Sequence, residues 1–202
     1  MYFTRPTLVA RRIYRNATWR VPTKKETIYL TFDDGPVPEI TPWILETLRK
    51  YKAKATFFCV GNNVLQYPDI FGQIINENHS VGNHTYNHLN GWKVKTNEYL
   101  ENIEQCNTLI ESKLFRPPYG RMKAAQYSAL STRYSVIMWD VLSGDFDPGI
   151  SGEKCLHNTI KKTRKGSVVV FHDNVKAKKN LFYVLPKFME YFDKQGFTFD
   201  NL

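Results

Sequence analysis

Three features of this chain predict an α/β fold built on a parallel sheet. From Thr27 onward, short β-branched or aromatic runs alternate with longer stretches of helical character, the pattern of successive βα units. Asp33, Asp34, His84, His88, Arg116, Asp145 and His172 fall at or just after the ends of those runs, the edge on which α/β folds build sites. At 202 residues and 42% hydrophobic content the chain has the size of one domain with a sizeable core, which excludes a collagenous, disordered or repeat-built protein.

Taken in order, strands are expected at 27–32, 55–60, 80–83, 114–116, 136–141 and 167–171, with a last short one at 197–199. Helices are expected at 39–51, 63–78, 96–112, 124–131, 151–162 and 181–195. Ser151, followed by Glu153, offers a cap and an early acid for its helix, and Thr96 follows polar residues at the start of another. About seven strands with six or seven helices in so short a chain imply a closed or nearly closed barrel, or else an open parallel sheet.

Lysine plus arginine number 28 against 19 acids, a net charge of +9. Residues 1–25 supply +7 of this through Arg5, Arg11, Arg12, Arg15, Arg20, Lys24 and Lys25, and hold no acid. They are expected to form a basic N-terminal arm, in contact with its own domain or with an anionic surface, ahead of a domain at 26–202 whose charge is only +2. A nucleic-acid partner would need basic residues interleaved with aromatics on the domain itself, so none is expected, and the chain is expected to be a monomer. Cys59, Cys106 and Cys155 read as buried small hydrophobes. With no signal-like segment and no apolar run of about 18 residues, the expected location is cytoplasmic by default, with association with the cell envelope as the alternative.

The chemistry lies in five groups. Thr31-Phe32-Asp33-Asp34-Gly35-Pro36 carries two carboxylates out of a strand into a turn that breaks the pleat, so both can reach one cavity. An isolated Asp-Asp-Gly-Pro would read as a turn with a helix cap. In His84-Thr85-Tyr86-Asn87-His88 the imidazoles stand four residues apart, which on a helical turn places both on one face, suited to one metal ion. With a carboxylate from the first group they make two nitrogens and one oxygen, leaving a position for water, as catalytic zinc requires. In Arg116-Pro117-Pro118-Tyr119-Gly120 a stiff loop carries an arginine able to orient a carboxylate and a backbone N–H able to meet an oxyanion. The segments ending in Asp145-Phe146 and Phe171-His172 put an acid and a histidine at strand ends, where an acid sets the histidine tautomer and raises its pKa. Asp140 and Asp173 are expected to make loop or cap hydrogen bonds, and His79 and His157 to be packing or surface residues.

In their order these five groups resemble the motifs of the polysaccharide deacetylases of carbohydrate esterase family 4, the NodB-homology domain, over roughly residues 26–202. The resemblance implies a distorted (β/α) barrel of about seven parallel strands that hydrolyses an acetyl group, mostly N-linked, on a sugar such as N-acetylglucosamine in chitin oligomers or peptidoglycan. It implies one divalent metal, zinc first with cobalt or nickel as alternatives, held by Asp34, His84 and His88. Asp33 would be the base that takes a proton from the attacking water, with Arg116 orienting it. The Tyr119 N–H would stabilise the oxyanion, and His172, oriented by Asp145, would protonate the departing amine. Pro118, Tyr119, Trp139 and Phe146 would contact the acetylated saccharide, with Trp139, Tyr119, Tyr86 and Trp92 as candidate stacking aromatics. Phe146 and Val170 stand where the family usually has tryptophan and leucine, which leaves the reaction class intact and alters the wall around His172. A small or lipid-linked amino sugar and O-acetylated xylan are alternative substrates. A catalytically silent carbohydrate binder is the alternative of another class.

Overall fold

In the computed structural model, which describes residues 4–202, the organising strand is β1 (Thr27–Asp33). Every residue of β1 except Tyr29 is buried, as expected of a strand covered on both faces. Ile28, Leu30 and Phe32 alternate onto the outer side, where they join α2 (Ile40–Lys50) and α8 (Lys178–Asp193) in the larger core. Both helices bury a stripe at helical spacing, Ile40, Ile44, Leu45 and Leu48 on α2 and Leu181, Val184, Leu185, Phe188, Met189 and Phe192 on α8. Thr31 and Asp33 point the other way, into the barrel.

All strand pairs are parallel, so their C-terminal ends share one edge. β1 pairs with β7 (Val168–His172) in a register that sets Asp33 opposite His172. On its other side β1 pairs along its second half with β2 (Thr56–Cys59) and along its first half with β8 (Thr198–Asp200). The sheet continues through β3 (Ser80–Asn83), β4 (Leu114–Phe115) and β5 (Ser135–Val136), and beyond β7 lies β6 (Val141–Leu142).

The two edge strands, β5 and β6, are the ends of the stretch expected as one strand. Ile137 N–H donates to Phe115 O (2.8 Å) beside β4, and Asp140 N–H donates to Val168 O (3.0 Å) beside β7. Residues 135–142 therefore cross from one edge of the sheet to the other and close it, which makes the expected distorted barrel. The strand is split because the middle of this segment bonds elsewhere: Thr18 N–H donates to Val136 O (2.9 Å) and Thr18 O accepts from Met138 N–H (2.8 Å).

The helix expected at 63–78 is also divided, into α3 (Gly61–Gln66) and α4 (Pro68–Asn76). Pro68 is the cause, since its ring holds Tyr67 out of the helical region and it begins α4 at the one turn that needs no N–H donor. α5 (Thr96–Ile110), α6 (Ala124–Leu130) and α7 (Gly152–Lys162) lie within the expected ranges, and the Ser151 hydroxyl caps α7 by accepting from Lys154 N–H (3.2 Å).

Residues 1–3 of the expected basic arm lie outside the described residues. The rest begins as a strap over the barrel mouth: Leu142 N–H donates to Thr4 O (3.0 Å), and Arg11 on α1 (Leu8–Ile13) pairs with Asp140 (3.0 Å). Tyr14, Ala17 and Trp19 are buried in a second core with Tyr99, Ile103, Phe115, Leu130 and Met138. Physically, the arm is continuous with the barrel from Tyr14 onward.

Candidate active site

Asp33, the last residue of β1, ends inside the barrel, where its Oδ1 accepts from Arg116 Nη1 at 2.6 Å. Arg116 is wholly buried, and its other donors are committed: Nη1 to Thr31 Oγ1 (2.7 Å), Nη2 to Met138 O (2.9 Å) and Nε to Ile137 O (3.2 Å). Its guanidinium lies 4.1 Å from the Phe58 ring centre. A carboxylate at such depth is tolerated because a cation held by four hydrogen bonds faces it.

Asp34 leaves the pleat as expected, through a backbone turn at φ 88°. That is an uncommon conformation for a residue with a side chain, and the surroundings hold it there. Asp34 N–H donates to Phe58 O (3.2 Å), Asn63 Nδ2 donates to Asp34 O (2.7 Å), and Asp173 accepts from Gly35 N–H (2.9 Å) and from the Thr41 hydroxyl (2.7 Å). The Asp34 carboxylate meets His88 Nε2 at 3.0 Å and His84 Nε2 at 3.5 Å through one oxygen, while Asn174 Nδ2 donates to the other. Burial pushes its pKa up, but the two histidine hydrogen bonds and the nearby imidazole charges outweigh this, and the net shift is well below the usual carboxylate range.

The histidine pair is not on a helical turn. Residues 84–90 form a loop with left-handed backbone at Thr85 (φ 64°) and His88 (φ 54°), and this loop folds the two rings to 5.1 Å apart. Buried amides shape it: Asn83 Oδ1 accepts from Thr85 N–H (2.9 Å), and Asn102 Oδ1 accepts from Tyr86 N–H (2.9 Å) and Asn87 N–H (3.1 Å). His84 Nδ1–H donates to Arg116 O (2.7 Å), which leaves Nε2 free to bind a metal. Arg116 thus positions two functional side chains, Asp33 through its guanidinium and His84 through its carbonyl. One oxygen and two nitrogens within 4.8 Å of one another fit a divalent transition metal such as zinc.

Across the β1–β7 register, His172 Nδ1–H donates to Asp145 Oδ1 and His172 N–H donates to Asp145 Oδ2, both at 2.8 Å. Burial lowers the imidazole pKa, but Asp145, with smaller contributions from Asp34 and Asp33, more than reverses this and raises it to about 9. Asp145 is itself held by the Ser143 hydroxyl (3.0 Å), and Phe146 presents its ring to His172 with centroids 4.9 Å apart.

These groups open onto a cavity of about 1070 Å³. Asp33, Asp34, His84, His88 and His172 line it, with Tyr119, Trp139 and Phe146 on its walls. Arg116 and Asp145 stand behind, acting through their partners. Tyr119 adopts φ 60° and sets its ring 4.7 Å from His88, while Gly120 (φ 65°) lets the loop lie on Trp139, where a Cβ would come within 2.3 Å of the indole. Pro118 is buried and does not line the cavity, and Pro117 does. Tyr86 packs over Gly61 away from the cavity, whereas Trp92 stands exposed on its rim. Asp140 accepts from Arg11, Arg164 and Ser167, and His79 is a packing residue against Phe57 with its Nδ1 accepting from Ala55 N–H (3.2 Å).

Residues 20–135, more than half of the chain, match the family model for polysaccharide deacetylases. The chain belongs to the polysaccharide deacetylase family. It is 34% identical over 197 residues to a peptidoglycan-N-acetylglucosamine deacetylase of Bacillus cereus, covering 90% of this chain and 89% of that protein. To a chitooligosaccharide deacetylase of Azorhizobium caulinodans it is 31% identical over 163 residues, covering 76% and 77%. The crystal structure of the Bc1960 peptidoglycan N-acetylglucosamine deacetylase, in complex with 4-naphthalen-1-yl-N-oxidanyl-benzamide, superposes with a TM-score of 0.85 at 33% identity, covering 93% and 91%. A carbohydrate esterase family 4 pseudoenzyme from Bacillus anthracis has a TM-score of 0.80 at 26% identity, covering 91% of this chain and 66% of that one. The fold is thus shared with a pseudoenzyme, and turnover depends on the residues of the site.

In this polysaccharide deacetylase family member the site also uses residues to which the sequence assigned no role. Asn174 on the Asp34 carboxylate, from the segment after β7, and Asn63 on the Asp34 carbonyl, from α3, lie 140 and 29 residues away along the chain. Asn174 follows the motif histidine by two positions, a signal that was available. Asn63 carried none.

Proposed function

We propose that this protein is a metal-dependent hydrolase that removes N-acetyl groups from an N-acetylglucosamine-containing glycan of the chitin-oligomer or peptidoglycan type. The observation that carries the reading is the pairing, side by side on β1 and β7, of a carboxylate held by a buried cation and a histidine held by a buried carboxylate, next to an Asp-His-His set. A silent binding protein would have no use for these two opposite proton-handling pairs.

Asp34, His84 and His88 would hold the metal. Bound there, a divalent ion lowers the pKa of water to near neutrality and polarises an acetamide carbonyl. Asp33, with Oδ1 engaged by Arg116, keeps its second oxygen to accept the proton of the attacking water. The Tyr119 backbone N–H, on a loop stiffened by Pro117 and Pro118, would be the donor that meets the oxyanion. His172, its Nδ1–H fixed on Asp145, carries a second proton on Nε2 at neutral pH, because its pKa lies near 9. It gives that proton to the departing amine, so acetate and a free amino sugar leave. Trp139, Phe146 and Tyr119 form the wall against which the sugar rings pack.

The test is acetate release from N-acetylglucosamine oligomers by zinc-loaded protein, screened beside peptidoglycan fragments, acetylated xylan and lipid-linked amino sugars. Asp33→Asn is expected to abolish turnover while elemental analysis shows metal retained. Full activity of that variant would overturn the mechanism.

A further inference from the structure

Of the nine large apolar side chains that stand exposed among the described residues, five line the cavity, Val9 and Ile13 on α1 with Trp92, Tyr119 and Val175, and a sixth, Leu8, adjoins Val9 at the start of α1. Leu8 is 86% exposed and Val175 75%. Helical spacing puts Leu8, Val9, Arg12 and Ile13 on one arc of α1, turned outward, while Ala10, Arg11 and Tyr14 turn toward the protein, where Arg11 pairs with Asp140. This is the reverse of an ordinary surface helix, whose polar face meets water. An apolar patch of this kind, gathered at one place, marks a surface that meets something else.

The charges beside it define the partner. Arg12, Arg15, Lys93 and Lys123 are exposed around the patch, Arg121 and Lys176 line the mouth, and the acids lining the cavity are Asp33 and Asp34 inside the site. The α1 side chains and Val175 are aliphatic. Sugar rings stack on aromatic faces and gain little from exposed leucine or valine, whereas aliphatic side chains flanked by arginine and lysine suit the boundary between acyl chains and anionic headgroups. We infer that the outer rim of the cavity, formed by α1 together with the Trp92 and Val175 segments, docks on an anionic lipid bilayer, with the cavity mouth at the membrane surface. Docking does not depend on the deacetylase reading, although it would favour acetylated sugars held at a membrane surface.

The experiment is co-sedimentation of the full chain with phosphatidylglycerol–phosphatidylcholine vesicles and with phosphatidylcholine vesicles alone, at low and high salt. Binding is expected only to the anionic vesicles and is expected to weaken strongly with salt. Leu8→Ser combined with Arg12→Ser is expected to lower partitioning roughly 10-fold or more at unchanged Tm, and Val175→Ser to lower it several-fold. The Leu8/Arg12 variant touches no site residue, so its acetate release from a soluble oligomer should match the parent protein, which separates this reading from that of the enzyme. Equal binding to both vesicle types, no binding at all, or full binding by the Leu8/Arg12 variant would overturn the proposal. Displacement by a soluble polyanion such as heparin that is as strong for that variant as for the parent would assign the face to an anionic polymer instead.

Discussion

Asp33 and His172 face each other across one strand pair, yet they are held in opposite ways. Asp33 is fixed by Arg116, which reaches through the barrel interior to Thr31 on β1 and to Ile137 and Met138 in the closing segment. His172 is fixed by Asp145, which is braced locally by Ser143, two residues away. The proposed base is therefore wired into the closure of the barrel, while the proposed acid, at the end of β7, is held by a carboxylate on a short loop. On this reading the first pair joins catalysis to stability, and the second concerns mainly catalysis.

The comparison breaks if the two pairs respond alike to loss of their buried partner. Arg116→Met strands the Asp33 carboxylate and frees Ile137 O and Met138 O, at a cost of about 3–5 kcal/mol. Thermal melts should then show Tm falling on the order of 10 °C, with activity lost as well. Asp145→Asn should leave Tm nearly unchanged at high pH yet cut kcat by about 10²–10⁴. Its pH dependence carries a sign that can be checked. Because the folded His172 pKa is raised to about 9 from 6.5, the pair stabilises the fold fully below pH 6.5, and that contribution disappears as pH rises through 9. The Tm gap between parent and Asp145→Asn should therefore narrow from pH 6.5 to 9, and the alkaline limb of kcat should move down in the variant. The smallest effect is expected from Thr31→Val, which removes one acceptor from the Arg116 fork. It should lower stability by about 1–2 kcal/mol by denaturant unfolding and reduce kcat only modestly.

What could be read from the residues, and what could not, follows the range of the interactions. The strand ends carrying Asp33, His84, Arg116, Asp145 and His172 were legible because hydrophobic period and turn residues are local signals. Pro68 was a local signal too, and it divides a helix that was expected to be whole. The route by which His84 and His88 meet was not legible, because a spacing of four suits a helical turn as well as a loop, and the choice is made by Asn102 from another helix. The split of 136–141 into β5 and β6 was equally hidden, since Thr18, which causes it, lies far away in sequence. Of the two prolines after Arg116, Pro117 lines the cavity and Pro118 is buried behind it. Composition specifies the stiffness of that loop but not which ring turns inward.

The Thr18 bridge has a consequence for how the molecule comes together. Thr18 is made first and must wait for Ile137, 137 − 18 = 119 residues later, before it can pair. The β1–β7 pairing closes a still longer loop but pairs five residues in register, whereas the Thr18 bridge is isolated and repays its closure with only two backbone hydrogen bonds, so the barrel seam should be among the last parts to form and the first to open. Hydrogen exchange would show this as early loss of protection at Met138, whose N–H is held by Thr18 O, while the β1 amides remain protected.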